Sequence, residues 1–218
     1  MIILAHRGCW RENREKNTRV ALMAAFEAGY GIETDVRDLD GELVVSHDPA
    51  RRGALSWNEL LDLYAACGAP GRLAINIKAD GLAEDVIRSL SDRNLADHGF
   101  VFDMSVPDMR AYLGGPVAVY TRFSDAEPTP AFYDQAQGVW VDDFGGAWAS
   151  SGRALDDLGR GKSVALVSPE LHGKPHLDAW DAWDRDFRRA ADRRGPFGEQ
   201  LMICTDRPDE AKERFIGL

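Results

Sequence analysis

The first apolar run of the chain, Ile2-Ile3-Leu4, leads straight into Ala5-His6-Arg7-Gly8. His6 offers a group that titrates near neutrality, and Arg7 offers a fixed cation whose planar fork suits phosphate oxygens. Gly8 lets the backbone turn or come close to a ligand. A second run, Ile32-Glu33-Thr34-Asp35-Val36, carries two carboxylates two residues apart. Strand alternation puts both on one face, and the same rule puts Asn76 and Lys78 together in Ile75-Asn76-Ile77-Lys78. With the isoleucines packed under helices, these polar side chains point inward. Buried charges of that kind need a metal, a ligand or one another. Asp40-Gly41 lies between Val36 and Leu43-Val44-Val45. That dipeptide favours a tight hairpin, which returns Ser46-His47-Asp48 to the end of the second strand. Two histidines, two carboxylates, Arg7 and Lys78 together suit metal-assisted phosphodiester chemistry. A hard divalent ion takes oxygen ligands, cations neutralise the phosphoryl charge, and paired imidazoles act as acid and base.

Elements with a regular rhythm must hold these residues. Apolar runs recur at 2–4, 31–36, 73–77, 99–102, 117–120, 138–141, 163–167 and 200–204. Helical patterns fill the gaps at 18–28, 57–66, 82–91, 107–113, 130–136, 152–160, 176–194 and 208–215. Ser56, Ser105, Thr129 and Asp206 stand at or near predicted N-caps, and Pro130 follows Thr129 at a first helical position. Eight strands alternating with helices predict a parallel sheet closed into a compact single (β/α)8 TIM barrel over residues 1–218. A short β-hairpin follows strand two, and no large insertion domain is present. Active sites of this fold lie at the C-terminal ends of the strands, where His6, Glu33, Asp35, Asn76 and Lys78 fall. A doubly wound open sheet is the alternative. It usually brings a Gly-rich phosphate turn, and none occurs here.

Composition narrows the function further. The chain is 44% hydrophobic, and its 26 Lys and Arg against 36 Asp and Glu give a formal charge of −10. Such acidity argues against nucleic acid as a partner and requires a locally positive pocket for any anionic substrate. Cys9, Cys67 and Cys204 form no CxxC pair or metal-ligand spacing and fit a reducing compartment. The start Met-Ile-Ile-Leu-Ala-His lacks the basic flank and apolar length of a signal peptide, and no run is long enough for a membrane span. The expectation is a cytoplasmic protein acting on a small molecule; oligomeric state is not legible.

The order and spacing of these pieces resemble the glycerophosphodiester phosphodiesterase family. The resemblance covers His6-Arg7-Gly8, Asn17-Thr18, Glu33-Thr34-Asp35-Val36, the stretch 40–48, Ile75-Asn76-Ile77-Lys78 and Thr205-Asp206-Arg207-Pro208. It is dense over 1–80, returns at 200–210 and is weak between. It implies a TIM barrel, a place in lipid metabolism, and hydrolysis of a phosphodiester to a phosphomonoester and an alcohol. His6 and His47 would be the acid–base pair, Glu33 and Asp35 would bind Mg²⁺ or Ca²⁺ (or Mn²⁺), and Arg7 and Lys78 would contact phosphate. A neighbouring substrate hydroxyl would attack phosphorus, and water would open the cyclic product.

Two departures from that pattern stand out. Asn76 occupies the place of a third carboxylate; its amide oxygen can coordinate but brings no charge. Asp103, after the fourth strand, or Glu170, after the seventh, would restore an acidic ligand. The sizeable insertion usual after His47-Asp48 is reduced to residues 49–56, which predicts a more open site or one capped by residues 144–150 and 169–176. A lyase that stops at the cyclic phosphate and an impaired diester-binding protein are the rival functions. Trp140 and Tyr120 read as core, Asp142-Asp143 as loop acidity rather than a second metal site, Glu170 and His172 as mouth or solvated loop, and 180–194 as a solvated helix face.

Overall fold

The computed structural model describes residues 1–145 and 151–218, so most of the predicted cap at 144–150 lies outside the described residues. The strands are β1 (Ile2–His6), β2 (Gly31–Leu39), β3 (Glu42–Val45), β4 (Leu55–Ser56), β5 (Leu73–Ile77), β6 (Gly99–Phe102), β7 (Ala118–Phe123), β8 (Gly138–Val141), β9 (Ser163–Val167) and β10 (Leu201–Thr205). β1 neighbours both β2 and β10, so the order β1-β10-β9-β8-β7-β6-β5-β2 closes on itself as a (β/α)8 barrel. All eight predicted runs became barrel strands. The short β3 and β4 extend β2 on its outer side as antiparallel neighbours. The helices are α1 (Arg19–Glu27), α2 (Trp57–Ala66), α3 (Ala83–Ser91), α4 (Val106–Met109), α5 (Ser151–Gly159), α6 (Leu177–Arg194) and α7 (Pro208–Arg214). No helix among the described residues is long and apolar enough to cross a membrane. Contacts divide the chain into two compact units, Leu4–Tyr120 and Met1–Ile3 with Thr121–Leu218.

Within Leu4–Tyr120, β5 is buried along its whole length between β2 and β6, which explains its run of Leu, Ala and Ile. α1 buries Ala21, Leu22, Ala25 and Phe26, while α2 buries Trp57, Leu60, Leu61 and Tyr64, the spacing of one helical face. The Phe26 and Tyr64 rings meet with centroids 5.3 Å apart. Each such aromatic or leucine side chain contributes about 1.5–3 kcal/mol on burial. Thr18 caps α1 by accepting from the Ala21 amide. Asp40 and Gly41 take φ of 53° and 87°, as the predicted two-residue hairpin requires, with Leu39 facing Glu42. Gly8 has φ 91°, and a Cβ there would fall 2.5 Å from the Ala21 carbonyl carbon. The close approach expected of Gly8 is therefore to the backbone of α1.

Three local expectations need correction. Residues 130–136 form turns, not a helix, and Thr129 caps nothing. Phe132 takes φ 52°, outside the helical region, and side chains from elsewhere bond the segment's carbonyls: Thr121 Oγ1 donates to Ala131, and Lys162 Nζ donates to Tyr133 and Ala136. The helix predicted at 107–113 is confined to α4 and decays into turns ahead of Gly114-Gly115. Ser56 stands at the N-cap of α2 and Asp206 next to the Arg207 N-cap of α7, as expected, but Ser56 makes no side-chain capping bond. Finally, α6 is solvated on one face only. Its Trp180, Trp183, Phe187 and Ala190 recur at helical spacing and are buried, so the Asp/Arg pattern had masked an amphipathic helix.

Candidate active site

The predicted site residues of the first half converge where the parallel register brings their strand ends level. His6 of β1 pairs with Glu33 of β2, and Asp35 of β2 pairs with Asn76 of β5. Burial is nearly complete: Glu33 is 2% exposed, Asp35 0% and Asn76 6%. His6 Nε2 lies 3.8 Å from Glu33 Oε2, and Asn76 Nδ2 donates to Glu33 Oε1 at 3.2 Å. Asp35 meets two cations, Arg7 Nε at 2.8 Å from Oδ2 and Lys78 Nζ at 3.5 Å from Oδ1. Lys78 also reaches Asp103 Oδ2 at 4.0 Å. Alternation along the strands has thus gathered these side chains on one face, as their spacing implied.

The two carboxylates differ in charge environment. Asp35 has its cations in contact. Burial and the neighbouring Asp35 charge push the Glu33 carboxyl up to about 8, although Arg7, Lys78 and the Asn76 amide draw it down. Glu33 Oε2, Asp35 Oδ1 and Asn76 Oδ1 are buried with no hydrogen-bond donor. Buried oxygens left this way cost roughly 1–3 kcal/mol each, more when charged. Three such hard oxygen donors on adjoining strands fit an oxygen-seeking divalent cation, which would satisfy all of them. The set depends on the Asn76 amide, since no group of three or more His, Cys, Asp or Glu suited to a metal occurs among the described residues.

A residue assigned no role from sequence supports this centre. Asn17, with φ 60°, donates from Nδ2 to Asp35 Oδ2 at 2.8 Å and accepts from Thr34 Oγ1 at 2.9 Å. Its backbone amide bonds the Arg7 carbonyl at 2.9 Å, so one side chain orients Asp35 while one amide fixes the turn carrying Arg7. The signal was the pair Asn17-Thr18, an αL-tolerant residue before an N-cap.

His47 is placed by the hairpin. Val36 faces Val45, and the Ser46 amide bonds the Asp35 carbonyl at 3.1 Å. The His47 side chain is 46% exposed, and its Nδ1 lies 2.9 Å from Asp48 Oδ1. Arg7 and His47 both line a cavity of about 1010 Å³ whose other walls include Asn17, Thr18 and residues 45–55. The locally positive pocket expected for an anionic substrate is present there, with Lys16, Arg19, Arg51 and Arg52 on its walls.

The second unit holds the remaining candidates. The two carboxylate oxygens of Glu170 accept from Thr205 Oγ1 and from Ser168 Oγ, and the Asp206 amide adds a bond at 3.2 Å. His172 Nε2 lies 2.6 Å from Asp142 Oδ1, which also accepts from the Asp143 amide at 2.8 Å. Trp140 is buried in β8, whereas in the first unit Tyr120 stacks on Phe100 at 3.7 Å.

No family model and no curated protein matches the chain. Solved structures do. A glycerophosphodiester phosphodiesterase from Parabacteroides distasonis superposes with a TM-score of 0.66 at 15% identity, covering 98% of this chain and 96% of that one. A candidate enzyme of the same name from Galdieria sulphuraria gives 0.68 at 17%, covering 98% and 97%. A candidate glycerophosphoryl diester phosphodiesterase from Silicibacter pomeroyi gives 0.68 at 16%, covering 99% and 93%. At these identities the likeness establishes the barrel fold over nearly the whole chain; activity must be argued from the site.

Proposed function

We propose that this chain is a divalent-metal-dependent phosphodiesterase that hydrolyses a glycerophosphodiester-like small molecule to a phosphomonoester and an alcohol. The observation that carries this reading is the set of three buried, donorless oxygens on Glu33, Asp35 and Asn76 beside the cations Arg7 and Lys78. The fold neighbours named as glycerophosphodiester phosphodiesterases support it.

Glu33, Asp35 and Asn76 would hold Mg²⁺, Ca²⁺ or Mn²⁺, which supplies positive charge to the phosphoryl oxygens when bound. Arg7 and Lys78 would draw the non-bridging oxygens into the same place and neutralise charge that builds in the transition state. His6 and His47 would divide the proton work. One takes the proton of the substrate hydroxyl next to the diester as its oxygen bonds to phosphorus; the other gives a proton to the departing alcohol. Water then adds to the cyclic phosphate with the two roles exchanged, leaving a linear monoester.

The test is phosphomonoester release from a panel of glycerophosphodiesters with Mg²⁺, Mn²⁺ or Ca²⁺, with EDTA, and with His6→Ala. Metal-dependent release of a linear monoester that His6→Ala abolishes is the expected result. A cyclic product would replace hydrolysis by the lyase reaction, and tight diester binding without turnover by the impaired-binder reading.

A further inference from the structure

The chain carries a formal charge of −10, yet one cavity collects five basic side chains against two carboxylates, Asp48 and Glu59. Both carboxylates are engaged: Asp48 with His47, and Glu59 with Arg19. Arg7 pairs with Asp35 and is already assigned to the diester, and Lys16 stands 4.2 Å over the Trp10 ring. Arg51 and Arg52 remain. Neither guanidinium takes an ion pair among the described residues, although the surface of this protein is rich in carboxylates.

The two arginines are not on a frayed loop. Val45 pairs with Leu55 and Val44 with Ser56, so β3 and β4 clamp both ends of residues 46–54. Inside it, Ser46 Oγ bonds the Asp48 carbonyl at 2.8 Å and the Ala54 amide bonds the Arg51 carbonyl at 3.1 Å. The opposite wall is the start of α1. Helix N-termini favour anions and commonly carry an acidic residue there, but the first turn of α1 has none and opens with Arg19. At about 1010 Å³ the cavity sits at the upper end of small-molecule pockets, with room for more than a glycerophosphate, and His47 and Arg7 sit on its wall.

We infer that this cavity is a subsite for a second phosphate, so that the preferred substrate is a phosphodiester whose leaving alcohol itself carries a phosphomonoester. The inference deepens, and rests on, the phosphodiesterase reading. The diester would lie between Arg7 and Lys78, and the alcohol would extend past His47, which protonates it, to place its terminal phosphate against Arg51 and Arg52. Arginine's planar fork can grip two phosphate oxygens at once, which a lysine cannot do.

The test compares glycerophosphoglycerol with its terminally phosphorylated counterpart. Binding of each is measured by calorimetry with Mg²⁺ on the full chain carrying His6→Ala, with and without R51A and R52A. Turnover of each is measured on the parent chain. The phosphorylated diester should bind about ten- to a hundredfold more tightly, the worth of one or two charge-assisted contacts, and the ratio should fall towards one without the two arginines. Equal binding of the two diesters, or a ratio indifferent to R51A and R52A, would overturn the subsite even if both are hydrolysed. A preserved, arginine-dependent ratio with no turnover supports the subsite and overturns only the hydrolytic reading. Arginine-dependent cosedimentation with phosphatidylglycerol vesicles, at a diester ratio of one, would assign the arginines to a membrane surface and overturn the proposal.

Discussion

Polar clusters close the strands of both units, and they are finished differently. On β2 and β5, buried oxygens of Glu33, Asp35 and Asn76 are left without donors, and cations crowd Asp35. After β8, β9 and β10, Glu170 has donors on both oxygens, and Asp142 holds His172 and an amide of its own loop. The residue types are similar. What separates them is whether the protein has satisfied its own polar groups, because an unsatisfied buried oxygen is costly until water or a ligand completes it. Under the proposed function the first cluster would be completed by a ligand, whereas the second is completed by the protein itself.

The largest effects should fall on the histidines. His6→Ala and His47→Ala should each lower turnover by about 10²–10⁴-fold, the usual worth of a positioned acid or base. His172→Ala, in the self-satisfied cluster, should leave turnover within about threefold. Steady-state rates on one cleaved diester decide it. A loss in His172→Ala as large as in His6→Ala would break the contrast.

Metal affinity should respond next. Asn17→Ala removes the donor that orients Asp35 Oδ2, and such supporting contacts are commonly worth about 10–100-fold in metal affinity. Titration of Mg²⁺ by calorimetry should show that weakening without loss of fold. Asn76→Asp should act in two directions. It adds a ligand charge and should tighten Mg²⁺ by roughly tenfold, about 1.4 kcal/mol. In metal-free protein it replaces the amide donor to Glu33 with a third carboxyl group and should lower Tm. Unchanged affinity in Asn76→Asp would remove Asn76 from the ligand set.

How much of this could be read from the sequence depends on how local each cause is. Alternation along a strand is local, so the shared face of Glu33 with Asp35 and of Asn76 with Lys78 was legible before any coordinates. So was the Asp40-Gly41 turn, whose positive φ angles belong to those residue types. The bonds of Asn17 to Asp35 and Thr34 were not, because they join residues 17 and 18 positions apart through a turn no pattern encodes. The failed helix at 130–136 was not legible either: Phe132 adopts a positive φ that its residue type does not announce, and Lys162 and Thr121, distant in sequence, bond the carbonyls of the turns that form instead. No sequence pattern singles out Arg51 and Arg52, whose place beside the cavity comes from the pairing of β3 with β4 that clamps their loop.

The smallest effect on turnover, and the sharpest on the contrast, concerns Glu170. Sequence made it one of two acids able to supply the charge that Asn76 lacks. Its oxygens now stand against two buried hydroxyls and an amide, whereas Asp103 stands beside Lys78. Glu170→Ala removes the acceptor of the Thr205 and Ser168 hydroxyls and of the Asp206 amide, although Thr205 Oγ1 still accepts from the Arg207 amide and Ser168 Oγ from the Trp180 indole N–H, 2.7 Å away. A loss of about 1–3 kcal/mol of stability follows from the unmade bonds, read as a lower urea midpoint at unchanged slope. Mg²⁺ affinity should stay the same in that variant and weaken in Asp103→Ala if either acid contributes to the ion. Weakened affinity in Glu170→Ala would mean that its present donors give way to a metal, and the two clusters would then differ in occupancy and not in design.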